Sequence, residues 1–328
     1  MARLKIAVIG AGRIGQIHAR NVAAHPAALL AGISDPDRAA ADRLAQATES
    51  TVIDPDSAFR ADAVMICSPT TTHADYIERA AAAGKPAFCE KPVDLSADRV
   101  RVCLDAVRRA GIPLMIGFNR RFDTQFGALK RRLDNGEIGT LELLTITSRD
   151  PAPPPLGYIA TSGGLFCDMM IHDLDLARYF LGEEPVELFA AASVMVDAAI
   201  GQAGDVDTAV VTLKTAGGRL CQISNSRRAT YGYDQRIELH GSKGMLRAGN
   251  MTATTLEHAD AGGFRTDPAL PFFLERYASA YRAELDAFVA ALQCGTAPKP
   301  DGEDGLRALI LADAATRSAQ TSQAVQLY

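Results

Sequence analysis

The sequence predicts an α/β fold in two parts: a doubly wound parallel sheet over residues 1–121, then an α+β domain with a large, open, mostly antiparallel sheet over 122–328. Three observations carry this. Short apolar runs alternate with helically spaced segments through about residue 120, the pattern of repeated βαβ units. Beyond that point the strand-like runs lengthen and are joined by glycine turns, which marks hairpins. At 328 residues the chain also exceeds one typical core.

Taken in order, "LKIAVI" (4–9) runs into glycines and suits a buried parallel strand. "GRIGQIHARNVAAH" has helical spacing, "LLAGISD" (29–35) is a second strand, and "ADRLAQAT" is a helix. "ADAVMICSP" (61–69) and "PAFCEKP" are strands flanking the helix "HADYIERAAAAGK"; "SADRVRVCLDAVRRAGI" is a helix and "PLMIGFN" a fifth strand. "DTQFGALKRRLDNGEIG" then reads as a helix ended by a glycine turn, and "TLELLTITSRD" as a long strand. "PAPPP" (151–155) is a stiff loop, because proline fixes φ and lacks a donor.

"LFCDMMIHDLDLARYF" (165–180) reads as one buried helix. Strand-like runs follow: "VELFAAASVMV", "DTAVVTLKTAGGRLCQISNSRR", "QRIELHGSKGMLRAG" and "MTATTLEH", with hairpin turns at "AGG" and "GSKG". This is a sheet with helices on one face. Two helical segments, "SAYRAELDAFVAALQCG" and "DGLRALILADAATRSAQ", close the chain.

A composition of 48% hydrophobic and 22% charged residues is that of an ordinary folded soluble protein. The net charge of -5, with a pI near 5.7, argues against nucleic-acid or anionic-membrane partners. Cys67, Cys89, Cys103, Cys167, Cys221 and Cys294 show no CxxC pairing and read as small buried hydrophobes in a reducing cytosol. "MARLKIAVIGAG" is too short in its apolar run for a signal peptide or a membrane span, and the expected location is the cytoplasm.

Gly10, Gly12 and Gly15 form G-x-G-x-x-G between a strand and a helix. Glycine is needed there for a tight turn, for backbone approach to a pyrophosphate, and for close packing of helix on strand. Asp35 follows Gly15 by 20 residues, at a strand end, where a carboxylate accepts from an adenosine ribose and repels a 2′-phosphate. That favours NAD over NADP, and nearby Arg38 softens the preference. In "CSPTTTH", Ser68, Pro69, Thr70 and His73 suit close approach to a cofactor, since ligands gather at the carboxyl ends of such strands. Thr70–Thr72 suit plain helix capping equally. Glu90-Lys91-Pro92 puts a cation at another strand end, where it can bind a substrate oxygen and favour its deprotonation; a surface lysine before a turn proline is the alternative.

The 165–180 segment carries a polar seam. At about 100° per residue, Asp168 and His172 lie about 40° apart, Asp175 sits about 20° to the other side of Asp168, and Tyr179 at about 20°. Asp173 points about 140° away and is expected to serve packing or a surface pair. The rest of the circumference is apolar. Buried polar groups must meet partners, water or a ligand, and a carboxylate one turn before an imidazole can orient it as a general base. A structural Asp–His pair is the alternative. No HExxH or similar ligand spacing is present, so no metal is expected.

"GAGRIG", "EKP", "GFNRRFD" (117–123) and "SGGLFCDMMIHDLDLARYFLG" (162–182) together resemble the Gfo/Idh/MocA oxidoreductase family; "GDVDTAVVTLKTAGG" and "YGYDQRIELHGSKGML" (231–246) are most similar to its bacterial inositol 2-dehydrogenases. The resemblance spans nearly the whole chain. It implies a Rossmann domain, an open antiparallel sheet, a last helical segment returning toward the first domain, and homotetramers joined through that sheet. It implies NAD bound by Gly10, Gly12, Arg13, Ile14, Gly15, Asp35, Arg38, Ser68, Pro69, Thr70, His73, Glu90 and Lys91. It makes Lys91, Asp168 and His172 the catalytic set, with His172 as general base, Asp168 orienting it and Lys91 stabilising the alkoxide. The expected reaction is oxidation of a cyclic polyol, myo-inositol to scyllo-inosose. Substrate candidates besides the catalytic set are Arg120, Asp150, Tyr158, Asp175, Tyr233 and Gln235. Arg120 and Arg121 can instead pair with nearby acids. Alternatives within the family are a scyllo-inositol or aldopyranose dehydrogenase and NAD-dependent glycoside cleavage. A non-catalytic NAD sensor would have no reason to keep Lys91, Asp168 and His172 together.

Overall fold

Strands that are apolar on both faces need helices on both sides, and the first part of the chain is built that way. The computed structural model describes residues 2–327. They divide into two compact units, residues 2–122 with 280–309 and residues 123–279 with 310–327. In the first unit, β1 (Leu4–Ile9), β2 (Ala28–Ser34), β3 (Ala63–Ile66), β4 (Ala87–Glu90) and β5 (Leu114–Gly117) form a parallel sheet in the order β2-β1-β3-β4-β5. The order reverses between β1 and β3, and ligands of such sheets bind at the strand carboxyl ends beside that reversal. Helices α1 (Arg13–Ala24), α2 (Arg38–Ala47), α3 (Pro55–Ala58), α4 (His73–Ala82) and α5 (Ala97–Ala110) connect the strands. Asp37, Asp54 and Ser96 cap α2, α3 and α5 by accepting from backbone N–H groups of the first turn.

The second unit opens with α6 (Thr124–Asp134), whose cap Asp123 also pairs with the buried Arg276. Its strands are β6 (Leu141–Arg149), β7 (Pro185–Ser193), β8 (Thr208–Thr215), β9 (Leu220–Ser226), β10 (Asp234–Gly241) and β11 (Gly244–Ala248). Helices α7 (Leu156–Ser162), α8 (Gly164–Asp168), α9 (Ile171–Leu181) and α10 (Ala198–Gln202) lie among them in sequence. Further on come the exposed hairpin β12 (Glu257–Asp260) and β13 (Gly263–Thr266), and α11 (Phe273–Arg276). The chain closes with α12 (Ala278–Cys294), α13 (Gly302–Thr321) and β14 (Val325–Gln326). The large sheet runs β11-β10-β6-β9-β8-β7-β14 and is antiparallel except for the β6–β9 pair. The mostly antiparallel sheet is therefore borne out.

Residues 280–309 belong to the first unit. Leu285, Phe288 and Val289 of α12 join its core with Ile6, Val8, Ile33, Met65, Phe88 and Met115. Gly302 of α13 lies so close to α5 that a Cβ there would stand 2.2 Å from a Leu104 methyl.

Four expectations need correction. The 165–180 segment is not one helix: α8 stops at Asp168 and α9 starts at Ile171. The Met170 N–H reaches five residues back to the Leu165 carbonyl at 2.9 Å, a local π-type turn that shifts the phase of everything after it. No proline at the break announces it in the sequence. "MTATTLEH" is not a strand of the sheet; Thr252 makes a single bridge to Ala269 and pairing resumes only at Glu257. A helix, α7, follows the proline loop where none was expected. Cys294 is exposed at the end of α12, while the other five cysteines are buried.

Candidate active site

The first unit supplies a dinucleotide cradle. The Gly10 N–H donates to the Ser34 carbonyl at 2.8 Å, laying the glycine loop against the end of β2. Gly10 has φ +106°, and a Cβ there would stand 2.5 Å from the Cys67 carbonyl oxygen. A Cβ at Gly15 would stand 2.0 Å from the Gly10 carbonyl oxygen. At Gly12 it would meet nothing within 4 Å, which leaves room for a pyrophosphate. Arg13 and Ile14 open α1 there, and no side chain caps its first turn, so the helix end offers amides and partial positive charge to an anion. Asp35 is half-buried: Oδ2 accepts from the Ala11 N–H at 2.6 Å and Oδ1 from the Asp37 N–H at 2.7 Å. Its carboxylate is thus fixed against the glycine loop. Arg38 is exposed and directs its guanidinium to Asp42, with Nε 3.0 Å from the carboxylate.

At the end of β3 the Ser68 and Thr72 hydroxyls lie 2.7 Å apart, and the Thr72 hydroxyl donates to the Pro69 carbonyl at 2.8 Å. Thr70–Thr72 form a single 3₁₀ turn leading into α4, so Thr72 serves the turn itself. His73 is buried, with Nδ1 2.7 Å from the Pro92 carbonyl and Nε2 2.7 Å from the Ser68 carbonyl. Burial pulls its pKa below the usual value, against the effect of those two acceptors. Glu90 turns inward, with Oε1 2.7 Å from His18 Nε2. Its carboxylate lies where a Cβ on Gly117 would stand 3.0 Å away, so only glycine leaves it space. His73 and Glu90, among the expected cofactor residues, thus also make these bonds within the protein. Lys91 follows at the strand's carboxyl end, half-buried. Arg120 is buried in the turn after β5, and Arg121 pairs with Asp304 at 3.1 Å.

The second unit holds Asp168 and His172 on either side of the helix break, both half-buried. Asp168 Oδ1 accepts from the Tyr158 hydroxyl at 2.9 Å, and Oδ2 lies 3.4 Å from Arg227 Nη1. Arg227 is 1% exposed, and its Nη2 lies 3.7 Å from Asp205. Asp205 also accepts from the Leu165 N–H at 3.0 Å, tying down the first turn of α8. A buried guanidinium thus holds the carboxylate in place. Asp175 is buried, with Arg178 Nη1 3.9 Å away, and Tyr179 carries the Lys130 ammonium 5.2 Å from its ring centroid. Asp173, expected in packing or a surface pair, is fully buried and accepts from Asn225 Nδ2 at 2.9 Å, which fastens α9 to the sheet.

Of the remaining substrate candidates, Asp150 is half-buried at the end of β6 and its N–H donates to the Ser226 carbonyl. Tyr233 is buried, edge-on to Tyr277 with centroids 5.9 Å apart. Gln235 Oε1 accepts from the Ser148 hydroxyl at 2.8 Å and the Tyr277 hydroxyl at 3.2 Å, while its Nε2 has no acceptor among the described residues. Such a donor suits a ligand hydroxyl or a water. The neighbouring Asp234 is fully buried; burial alone would raise its carboxyl, but Arg236, Tyr231 and Asn250 together hold it below the usual range.

Sequence reasoning missed Arg227, Asp205, His18 and Glu284. One signal was available for Arg227. Buried positions in β9 alternate through Cys221, Ile223 and Asn225, and the next in step is Arg227, a charge on an inward face.

Residues 4–118 match an oxidoreductase family with an NAD-binding Rossmann fold, and residues 126–247 match the GFO/IDH/MocA C-terminal domain. The chain belongs to the Gfo/Idh/MocA oxidoreductase family. It is 51% identical over 327 residues to an inositol 2-dehydrogenase of Rhizobium meliloti, covering 99% of both chains. It is 48% identical to a myo-inositol 2-dehydrogenase of Thermotoga maritima, covering 99% of this chain and 98% of that one. Among solved structures, a myo-inositol dehydrogenase from Corynebacterium glutamicum superposes with a TM-score of 0.95 at 47% identity over 99% of each chain. The first unit is accordingly an NAD-binding Rossmann domain, and the Gly12 space fits that cofactor. Among the described residues no helix is long and apolar enough to cross a membrane.

Proposed function

We propose that the protein is an NAD-dependent inositol 2-dehydrogenase that oxidises myo-inositol to scyllo-inosose. The observation that carries this is the end-to-end likeness to two inositol 2-dehydrogenases, at 51% and 48% identity. Gly10, Gly12, Arg13, Ile14, Gly15 and Asp35 hold the cofactor, and bound NAD supplies the hydride acceptor. His172 takes the proton of the reacting hydroxyl as that carbon gives up its hydride and the C–O bond becomes C=O. Asp168, fixed by Tyr158 and Arg227, orients His172. Lys91 stabilises the developing alkoxide. The remaining ring hydroxyls bind among Arg120, Asp150, Tyr158, Asp175, Tyr233 and Gln235, the Gln235 amide with its unsatisfied nitrogen having most to offer.

The test is NADH formation across inositol isomers and common aldoses, with NAD and NADP compared for the best substrate. Turnover should be highest with myo-inositol and NAD. A preference for scyllo-inositol, for an aldose or for NADP overturns the corresponding part of the reading.

A homotetramer joined through the large sheet is part of the same proposal. Leu220, Leu143, His240 and Met245 stand side by side across β9, β6, β10 and β11, all exposed, and Phe189 and Val210 are exposed on neighbouring strands. A row of exposed large side chains of this kind, mostly apolar, is rarely left to water. Light scattering should give four times the 34.8 kDa chain mass. The reducing cytoplasm is the proposed compartment, supported by six free cysteines.

A further inference from the structure

A second cluster of titratable groups lies within the first unit. His18 of α1, Glu90 at the end of β4 and Glu284 of α12 bring donor atoms within 4.8 Å of one another. His18 and Glu284 are fully buried and Glu90 is 9% exposed. The surroundings are aromatic. The His18 ring lies 5.0 Å from Phe88 and 5.6 Å, edge-on, from Tyr281, and Phe88 packs on Phe288. His18 Nε2 meets Glu90, whereas His18 Nδ1 and both carboxylate oxygens of Glu284 have no hydrogen-bond partner among the described residues.

Two carboxyl groups beside one imidazole in such a box cannot both carry charge, because at most one negative charge finds a counter-charge. Burial, and then the charge of Glu90, raise the Glu284 carboxyl well above its usual range. Burial, and then the charge of Glu90, likewise raise the neighbouring Cys67 thiol. A protonated Glu284 changes from an unsatisfied anion into a group that both donates and accepts. Its donor stands within 4.8 Å of the Glu90 carboxylate, as does that of His18.

The three residues come from distinctive places. His18 sits one turn along α1 from Gly15, Glu90 is bonded to Lys91, and Glu284 lies on the helix that returns from the end of the chain. The cluster therefore couples the pyrophosphate helix to the strand end that bears Lys91.

We propose that Glu284, as a neutral carboxylic acid, is a positioning residue that with His18 clamps Glu90 and thereby fixes Lys91 relative to the glycine loop. The idea rests on Lys91 being the alkoxide-stabilising group. Misplacing such a group by about 1 Å costs on the order of a hundredfold in rate.

The test uses the whole enzyme with Glu284→Leu, Glu284→Gln and Lys91→Met, measuring kcat, the KM for NAD and the melting temperature. Glu284→Leu should lower kcat by roughly tenfold or more while the KM for NAD stays within about threefold. Glu284→Gln, which keeps a donor and an acceptor, should recover most of that loss. A purely packing role predicts the reverse, since an apolar side chain of similar size replaces a buried acid with little penalty. Normal kcat in the leucine variant, or no recovery with glutamine when both variants melt normally, overturns the proposal. Lys91→Met at near-normal turnover would instead remove the reading of Lys91 on which it rests. One equivalent of tightly bound metal in the purified enzyme would also overturn it, since a cation would then neutralise Glu284 in place of the proton.

Discussion

The two units hold their candidate functional groups by different means. In the first, the cradle is backbone: a loop crossing two strand ends, with two glycines whose missing Cβ atoms leave contacts of 2.5 and 2.0 Å and a third that leaves open space. In the second, the groups are side chains, and their placement depends on a helix that breaks at Met169–Met170 and on a buried arginine from the end of β9. Backbone geometry permits few residue types at fixed spacings. Side-chain geometry can be met by partners from anywhere in the chain. The difference predicts that changes in the second unit will separate chemistry from cofactor binding.

The largest effect is expected from removing the proposed base. His172→Ala should cut turnover with myo-inositol by about a hundredfold or more, with NAD affinity nearly unchanged when titrated by fluorescence. Near-normal turnover would remove His172 from its role. A parallel loss of NAD affinity would break the contrast between the units.

That contrast also explains what was legible in the sequence. Gly10, Gly12, Gly15 and Asp35 are legible because the turn, the close approach and the proposed ribose contact each demand a residue at a set distance along the chain. The five parallel strands were readable as doubly buried apolar runs, although β3 proved shorter than its run. In "DMMIH" the residue types were readable and their geometry was not. Met169 and Met170 are both buried at the π-type turn, and ideal helical phase cannot anticipate such a turn. Tyr158 and Arg227 reach Asp168 from 10 and 59 positions away. Local periodicity carries no information at that range.

Arg227 offers the next sharpest test. Removing one partner of a buried ion pair leaves the other side's charge uncompensated and costs about 3 kcal/mol or more. Arg227→Met should therefore lower stability by that order in urea unfolding. It should also reduce kcat at temperatures where the variant is folded, because Asp168 loses a fixed counter-charge. Arg227→Lys should restore part of both. An Arg227→Met enzyme of undiminished kcat would mean that Tyr158 alone orients Asp168.

The smallest effect asks whether the first unit is as purely a backbone device as its glycine loop makes it look. Glu284 is a side-chain element there, and its carboxyl is raised by burial and by Glu90. Above the unfolded glutamate value of about 4.3, the unfolded chain releases this proton while the native protein keeps it. The native state then binds more protons, so this residue subtracts stability as pH rises, by about 1.4 kcal/mol per pH unit until the folded value is reached. Glutamine titrates in neither state and removes the slope. The melting temperature of Glu284→Gln should therefore be close to that of the parent near pH 4 and should rise above it as pH increases beyond that value. Parallel melting curves across that range would show that Glu284 ionises in the native protein as freely as in the unfolded chain. The clamp on Glu90 would then need another origin, and the first unit would owe its geometry to backbone alone.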